Sequence, residues 1–191
     1  MTQDLTNKNS LLVFALESEA AGYFRDQDIL FTGVGKINAG YRLLKRIAVS
    51  RPDIIINLGS AGSSLHKKGE VVCCTRFIQR DMDVTPLGFA RYETPFYEQD
   101  IMLEYGISLP GLVQGICGTG DNFEIQHNAE AYDVVDMEAY ALAWVAKQEG
   151  IPFVCLKYIS DGADGKAAGD WSVSVHQAAK ALHETLLTCR G

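Results

Sequence analysis

The sequence predicts an α/β fold: a three-layer α/β/α sandwich around a mixed, mostly parallel central sheet. Two observations carry this expectation. Short apolar runs alternate with segments of helical period, the pattern that packs helices on the faces of a parallel sheet. In addition, three acid-bearing segments, Ala15-Leu16-Glu17-Ser18-Glu19, Val135-Asp136-Met137-Glu138-Ala139 and Ile159-Ser160-Asp161-Gly162-Ala163, each sit where an apolar run ends. Ligands of open α/β sheets bind beyond the carboxyl ends of the strands, so the three acids are placed to meet in one pocket. That arrangement points to acid/base chemistry on a small polar molecule.

Taken in order, Leu11 to Leu16 is a continuous apolar run and reads as the first strand, followed by helical character from Ser18 to Phe24. Asp28 to Thr32 is a short strand ending at Gly33-Val34-Gly35. Lys36 to Ser50 spaces Ile37, Ala39, Leu43, Leu44, Ile47 and Ala48 at helical intervals, and Arg51-Pro52-Asp53 ends that helix because proline cannot continue its hydrogen-bond ladder. Ile54-Ile55-Ile56 is the β-branched run of a buried parallel strand, and Gly59 to Gly62 reads as a turn beyond it. Gly69 to Ile78 and Leu112 to Cys117 are further strands. Tyr132 to Met137 runs straight into a helix, Glu138 to Glu149. Pro152 to Ile159 is the last central strand, and Val173 to Thr188 a closing helix. Arg80 to Gly106 is a long turn-rich loop whose aromatics (Phe89, Tyr92, Phe96, Tyr97, Tyr105) imply that it packs on something.

At 191 residues and 47% hydrophobic, the chain fits one domain, 11–191, behind a polar tail, 1–10. A net charge of -7 with no basic run argues against binding nucleic acid or an anionic membrane. The polar start and the interruption of the first apolar run at Glu17 lead us to expect neither a signal peptide nor a membrane span, hence a cytoplasmic protein. Five cysteines, three of them inside apolar runs, read as reduced core thiols. His66, His127, His176 and His183 have no metal-ligand spacing, so no metal is expected.

Gly33-Val34-Gly35-Lys36 fits neither a Walker A loop nor a dinucleotide fingerprint, leaving a tight turn at a helix start. Asn57-Leu58-Gly59-Ser60-Ala61-Gly62-Ser63 lets backbone N–H groups approach a ligand closely, but it is not the Gly-x-Ser-x-Gly of a nucleophile elbow. The Ser64-x-x-Lys67 match lacks any supporting motif. The chemistry is therefore assigned to carboxylates. Asp161 follows Ser160, whose hydroxyl is placed to orient it. Read locally, Asp161 is equally a turn aspartate, and Glu17, Glu19 and Glu138 are equally acids stabilised at helix starts.

Taken together in this order, the segments Ala15 to Glu19, Gly33 to Lys36, Asn57 to Gly62, Asp81-Met82-Asp83-Val84-Thr85, Gly120-Asp121-Asn122-Phe123, Val135 to Ala139 and Ile159 to Asp161 resemble the purine nucleoside phosphorylase/uridine phosphorylase superfamily, most closely its methylthioadenosine/S-adenosylhomocysteine nucleosidases. The resemblance runs from about Leu11 to Leu187 and implies the nucleoside phosphorylase-like fold. It implies that Glu19 activates the attacking water and that Asp161 protonates or hydrogen-bonds N7 of the purine. It implies that Glu138 grips the ribose hydroxyls with Met137 against the sugar, and that Phe123 stacks on the base. Ser60, Ala61 and Gly62 would line the sugar and water region, and Leu16 and Ser160 would complete the pocket, Leu16 replacing a common methionine. No cofactor is implied. Cleaving an N-glycosidic bond passes through an oxocarbenium-like sugar, which calls for an acid at the leaving group and a carboxylate with water on the other side.

Phosphorylases of the superfamily hold phosphate with arginine in the loop after the first strand, where this chain carries Glu17 and Glu19; phosphorolysis would require Arg80 or Arg91 to reach the pocket. Three departures stand out. The hairpin that usually precedes the strand ending at Gly33 is missing, so a reduced barrel-like closure is expected. Lys157 stands where an arginine is common, and Glu124 follows Phe123 where an apolar residue is usual. The resemblance further implies a homodimer in which Phe89 to Tyr97 reaches the partner's pocket. The expected activity is hydrolysis of a purine nucleoside, 5'-methylthioadenosine or S-adenosylhomocysteine, to free base and 5-substituted ribose, within nucleoside metabolism and methionine salvage. The competing readings are a futalosine hydrolase, a purine nucleoside phosphorylase, and a non-catalytic nucleoside-binding protein on the same fold.

Overall fold

The computed structural model describes residues 9–97, 100–125, 131–164 and 167–189, the side chains of 167–173 excepted. Nearly all of the expected polar tail 1–10 lies outside the described residues, as does His127. The order is β1 (Ser10–Phe14), α1 (Glu17–Ala20), β2 (Asp28–Phe31), α2 (Lys36–Val49), β3 (Ile54–Gly62), β4 (Val71–Gln79), a 3₁₀ turn (Thr85–Leu87), β5 (Leu103–Glu104), β6 (Val113–Thr119), β7 (Val134–Asp136), α3 (Ala139–Gln148), β8 (Phe153–Asp161) and α4 (Ala167–Cys189).

The strands form one mixed sheet. β1 lies parallel between β2 and β3, and β3 runs parallel to β8. On its other edge β8 pairs antiparallel with β4 through Val71↔Tyr158 to Cys73↔Leu156. β4 continues parallel to β6 and β6 parallel to β7, whose Val135 meets Gly62 of β3. The path β3-β8-β4-β6-β7-β3 therefore returns on itself. This corrects the expectation of a reduced closure. All nine residues of β8 are buried and the strand hydrogen-bonds along both edges, so the ring closes without the missing hairpin.

Alternation along the strands divides the core in two. Leu11, Val13 and Ile55 join Leu43 and Ile47 of α2 and Leu142 of α3 in one cluster. Leu12, Phe14, Ile54 and Ile56 join Phe24 and Leu182 and Leu186 of α4 in another. With both faces covered, the strands can be apolar throughout, which is why they appear in the sequence as unbroken runs.

Two other expectations change. Asn57 to Gly62 is the second half of strand β3, so Gly59 to Gly62 is not a turn: these small residues pair in register with β8 from Asn57↔Cys155 to Ala61↔Ile159, where glycine, serine and alanine leave room for the side chains around them. The first strand stops at Phe14 rather than Leu16, and the helix after it is one turn long, ended by the left-handed residues Ala21 (φ 40°) and Gly22 (φ 77°). The long segment after β4 remains mostly irregular. Of its aromatics, two pack on the rest of the domain: Tyr92 lies 6.2 Å from Tyr132, and the Tyr105 hydroxyl donates to the Ile151 carbonyl at 3.1 Å, whereas Phe89 lies 5.2 Å from Phe96 within the segment and Phe96 and Tyr97 are exposed. All five cysteines are free thiols, four of them buried. Among the described residues, no helix is long and apolar enough to cross a membrane.

Candidate active site

The carboxyl ends of seven strands open on a cavity of about 250 Å³. The structure brings all ten predicted site residues to it. Leu16 and Glu19 follow β1, Ser60, Ala61 and Gly62 end β3, and Phe123 follows β6. Met137 and Glu138 follow β7, while Ser160 and Asp161 end β8.

Glu19 is 5% exposed, and its carboxylate is held from two sides. Oε1 accepts the Ser60 N–H at 2.9 Å and the Ser60 hydroxyl at 2.7 Å, while Oε2 accepts the Leu16 N–H at 3.1 Å. The last of these is the reach of a third-position acid back to its helix start. β3 must come close here, since a Cβ on Gly59 would stand 3.2 Å from Glu19 Oε1.

Asp161 is 4% exposed and is also held at both oxygens. Oδ2 accepts the Ser160 hydroxyl at 2.8 Å, the orientation expected from their adjacency, and Oδ1 accepts the Ala163 N–H at 2.8 Å. Ser160 Oγ also lies 3.2 Å from the Ala61 carbonyl.

Glu138 caps α3 in position only. Its side chain turns away from its own helix, and Oε1 accepts the N–H of Gly35 at 2.9 Å, from the loop before α2. The helix-start duty falls to Asp136, whose Oδ2 accepts the Ala139 N–H at 2.8 Å. Burial first, then the negative charge of Asp136, pushes the Glu138 carboxyl up to about 8, against the opposing pull of Lys157 and the Gly35 N–H.

Sequence reasoning gave no role to Asp136, which lines the cavity floor. It accepts from Thr119 Oγ1 at 2.6 Å and pairs with Lys157 Nζ at 2.9 Å, where both side chains are almost wholly enclosed. Burial opposes charge on both groups, but their mutual attraction outweighs it, holding the Asp136 carboxyl below its ordinary value and the Lys157 amine above its own. The one available signal was an acid two residues before Glu138 beside a lysine in an apolar strand.

Arg80, not Arg91, reaches the cavity. Its guanidinium donates to Asn122 Oδ1 at 3.0 Å and to Glu124 at 3.2 Å, and it also bonds the Asn122 carbonyl. Arg80 at one strand exit and Glu124, one of the departures noted in the sequence, at another thus form one ion pair. Arg91 instead lies over the Tyr92 ring, 5.0 Å from its centroid. Burial pushes the Cys117 thiol up to about 11, and no cysteine lines the cavity, so thiolate chemistry has no place here. Among the described residues, no group of three or more His, Cys, Asp or Glu side chains is arranged to hold a metal.

Comparison with known proteins agrees with this architecture. Residues 28–189 match the family model of the phosphorylase superfamily. The 5'-methylthioadenosine/S-adenosylhomocysteine nucleosidase of Exiguobacterium sp. is 35% identical over 160 residues, 73% of this chain and 69% of that protein. The protein of the same name from Listeria monocytogenes is 33% identical over 186 residues, 85% of this chain and 79% of that one. Among solved structures, a mutant Helicobacter pylori nucleosidase with 5'-methylthioadenosine in its active site aligns at a TM-score of 0.86 and 18% identity, covering 96% of this chain and 98% of that one. A mutant Helicobacter pylori futalosine hydrolase aligns at 0.85 and 17%, covering 94% and 97%. At such identities the structural likeness speaks for the fold, whereas the family model and the sequence relatives speak for descent. The chain belongs to the phosphorylase superfamily and, within it, to the family of the 5'-methylthioadenosine/S-adenosylhomocysteine nucleosidases.

Proposed function

We propose that this chain hydrolyses the N-glycosidic bond of a purine nucleoside, 5'-methylthioadenosine or S-adenosylhomocysteine, to free base and 5-substituted ribose without a cofactor. The observation that carries the reading is the division of acids around one cavity: Glu19 immobilised by Ser60 and Leu16, Asp161 oriented by Ser160, and Glu138 between the β7 exit and Gly35. Hydrolysis through an oxocarbenium-like sugar needs this division. In it Glu19 takes a proton from water, and Asp161 delivers one to N7 of the departing base. Glu138 holds the sugar hydroxyls, Met137 packs on the sugar, and Phe123 stacks on the base. Ser60, Ala61 and Gly62 shape the water side.

Arg80 in the cavity wall is the specific observation on the side of phosphorolysis. Its positive charge is already answered by Glu124, and a phosphate at the sugar would face the Glu19 carboxylate, which favours water as the acceptor. Helices on both sides of the sheet support the three-layer sandwich, and the activity would place the protein in cytoplasmic nucleoside metabolism and methionine salvage. We further propose a homodimer, with Phe89 to Tyr97 reaching the partner's pocket, where an apolar lid suits a 5'-thioalkyl group.

The deciding experiment is incubation with methylthioadenosine, S-adenosylhomocysteine, adenosine, inosine and futalosine, without and then with phosphate, following free base by chromatography. Base release without phosphate, fastest from the thioethers, is expected. Release only with phosphate would make the protein a phosphorylase, fastest release from futalosine a futalosine hydrolase, and binding without turnover a nucleoside-binding protein.

A further inference from the structure

Three of the sequence segments that carried the family resemblance, Gly33 to Lys36, Asp81 to Thr85 and Gly120 to Phe123, supply none of the three catalytic acids, and of their residues only Gly35 and Phe123 enter the proposed chemistry. In the structure they meet at one point beside the cavity. Lys36 Nζ lies 2.5 Å from Asp81 Oδ1 and 3.8 Å from Asp121 Oδ2. The Lys36 N–H donates to Asp121 Oδ1 at 2.8 Å, and the Asp121 N–H donates to Asp81 Oδ2 at 2.8 Å. Each of the three residues thus bonds both of the others, tying together the exits of β2, β4 and β6.

The tie bears on the cavity through one peptide. Gly35 and Lys36 present successive N–H groups to two different carboxylates, Gly35 to Glu138 and Lys36 to Asp121. Gly35 has φ 95°, a left-handed conformation, and an added Cβ would stand 3.2 Å from Asp121 Oδ1, so glycine is required for this approach. Fixing Lys36 against Asp121 fixes where the Gly35 N–H points, and hence where the Glu138 carboxyl sits. On the other arm, Asp121 stands two residues before Phe123. Lys36 is 17% exposed and Asp81 26%, sheltered enough to hold a geometry. Burial works against charge on Asp81, yet the hydrogen bond from Lys36 keeps its carboxyl below the ordinary range.

We propose that Lys36, Asp81 and Asp121 are a positioning network that sets Glu138, through the Gly35 N–H, for recognition of the ribose hydroxyls. The proposal rests on the reading of Glu138 as the sugar-holding acid. Its consequence is that an ion-pair cluster touching no substrate controls discrimination between ribose and deoxyribose.

The test compares kcat/KM for adenosine and 2',3'-dideoxyadenosine in the parent, Lys36→Met, Lys36→Arg, Asp121→Asn and Glu138→Gln, with the melting temperature of each. The greater lability of the dideoxy bond cancels in the ratio of variant to parent. In Lys36→Met, KM for adenosine should rise about ten-fold, the upper end of what one hydrogen bond is worth, with little change for the dideoxy substrate. The ribose preference should collapse towards that of Glu138→Gln, and Lys36→Arg should restore it. A preference kept within about two-fold in both Lys36→Met and Asp121→Asn, or an equal loss on both substrates, would overturn the proposal. If the parent cleaves neither of these nucleosides nor methylthioadenosine but calorimetry finds binding, the hydrolase reading fails alone, and the binding preference of the same variants decides the network. A parent that neither cleaves nor binds any of the three overturns both.

Discussion

Asp136 and Glu138 stand two residues apart and shift in opposite directions, because Asp136 pairs with Lys157 directly while Glu138 feels that cation only at a distance. Asp136 meets Lys157 at 2.9 Å, whereas Glu138 is offered the Gly35 N–H and the repulsion of Asp136. With the folded carboxyl up to about 8 against an ordinary 4.5, the native state keeps a proton that the unfolded chain releases over that interval. The unfolded state then binds fewer protons, so stability falls as pH rises from about 4.5 to about 8 and is level above it. Glu138→Gln removes the loss while keeping an acceptor for Gly35. Its melting temperature should gain on the parent's across that interval in a pH series of thermal unfolding, and a pH-independent difference would show that Glu138 ionises normally. At Asp161, replacement by asparagine keeps the shape but removes the proton, so turnover should fall about 10²- to 10⁴-fold with the fold intact. Near-normal rates would remove it from the role of acid. Glu19→Gln should lose hydrolysis comparably while still binding the nucleoside, as ligand titration would register. The three acids were legible in the sequence because each closes an apolar run within a family motif. Their partners were not: Ser60 is 41 positions from Glu19 and Gly35 is 103 from Glu138, and no local pattern encodes such contacts.

Strand β3 is the element on which the cavity depends most. Its first half is β-branched and its second half small, and the change occurs where the chain passes from core to cavity wall. A Cβ at Gly62 would stand 2.6 Å from Asp161 Oδ1 and 3.0 Å from Val135 Cγ2, so an alanine must displace the acid or part β3 from β7. Gly62→Ala should therefore lower kcat about 10²-fold, the scale of an ångström's misplacement, with a smaller change in melting temperature. An alanine variant with parental kcat would mean that Asp161 tolerates the shift. The same composition explains why only Ile54 to Ile56 read as strand: Asn57-Leu58-Gly59-Ser60-Ala61-Gly62 has the residues of a turn, and only its pairing with β8 makes it extended. Helices α2 and α3 were legible from their period and stops. Strand β5 was not, since two residues paired with Arg76 and Phe77 are too few to carry a period.

For the whole molecule, the question is what covers the face formed by α2, α3 and the 79–97 segment. A groove of about 580 Å³ there is lined by Tyr41, Leu44, Tyr97 and Trp144, and beside it Phe96 stands 94% exposed, edge-to-face with Phe89. A projecting aromatic pair next to an apolar groove on one surface would be self-complementary in a two-fold dimer, each copy's projection meeting the other's groove. Lys36 borders this groove as well as tying the loops that hold Gly35, so this face and the Glu138 side of the cavity share a wall. The protein should accordingly sediment as a dimer at micromolar concentration, and Leu44→Glu, which puts a charge in each groove, should shift it to monomer. If the partner's 89–97 segment closes the 5' end of the pocket, dissociation should raise KM for methylthioadenosine about ten-fold, the worth of burying one or two methylenes, and leave that for adenosine nearly unchanged. A monomeric parent of full activity would dismiss the dimer. A dissociated Leu44→Glu variant with unaltered KM for both substrates would keep the dimer but deny it any part in the pocket.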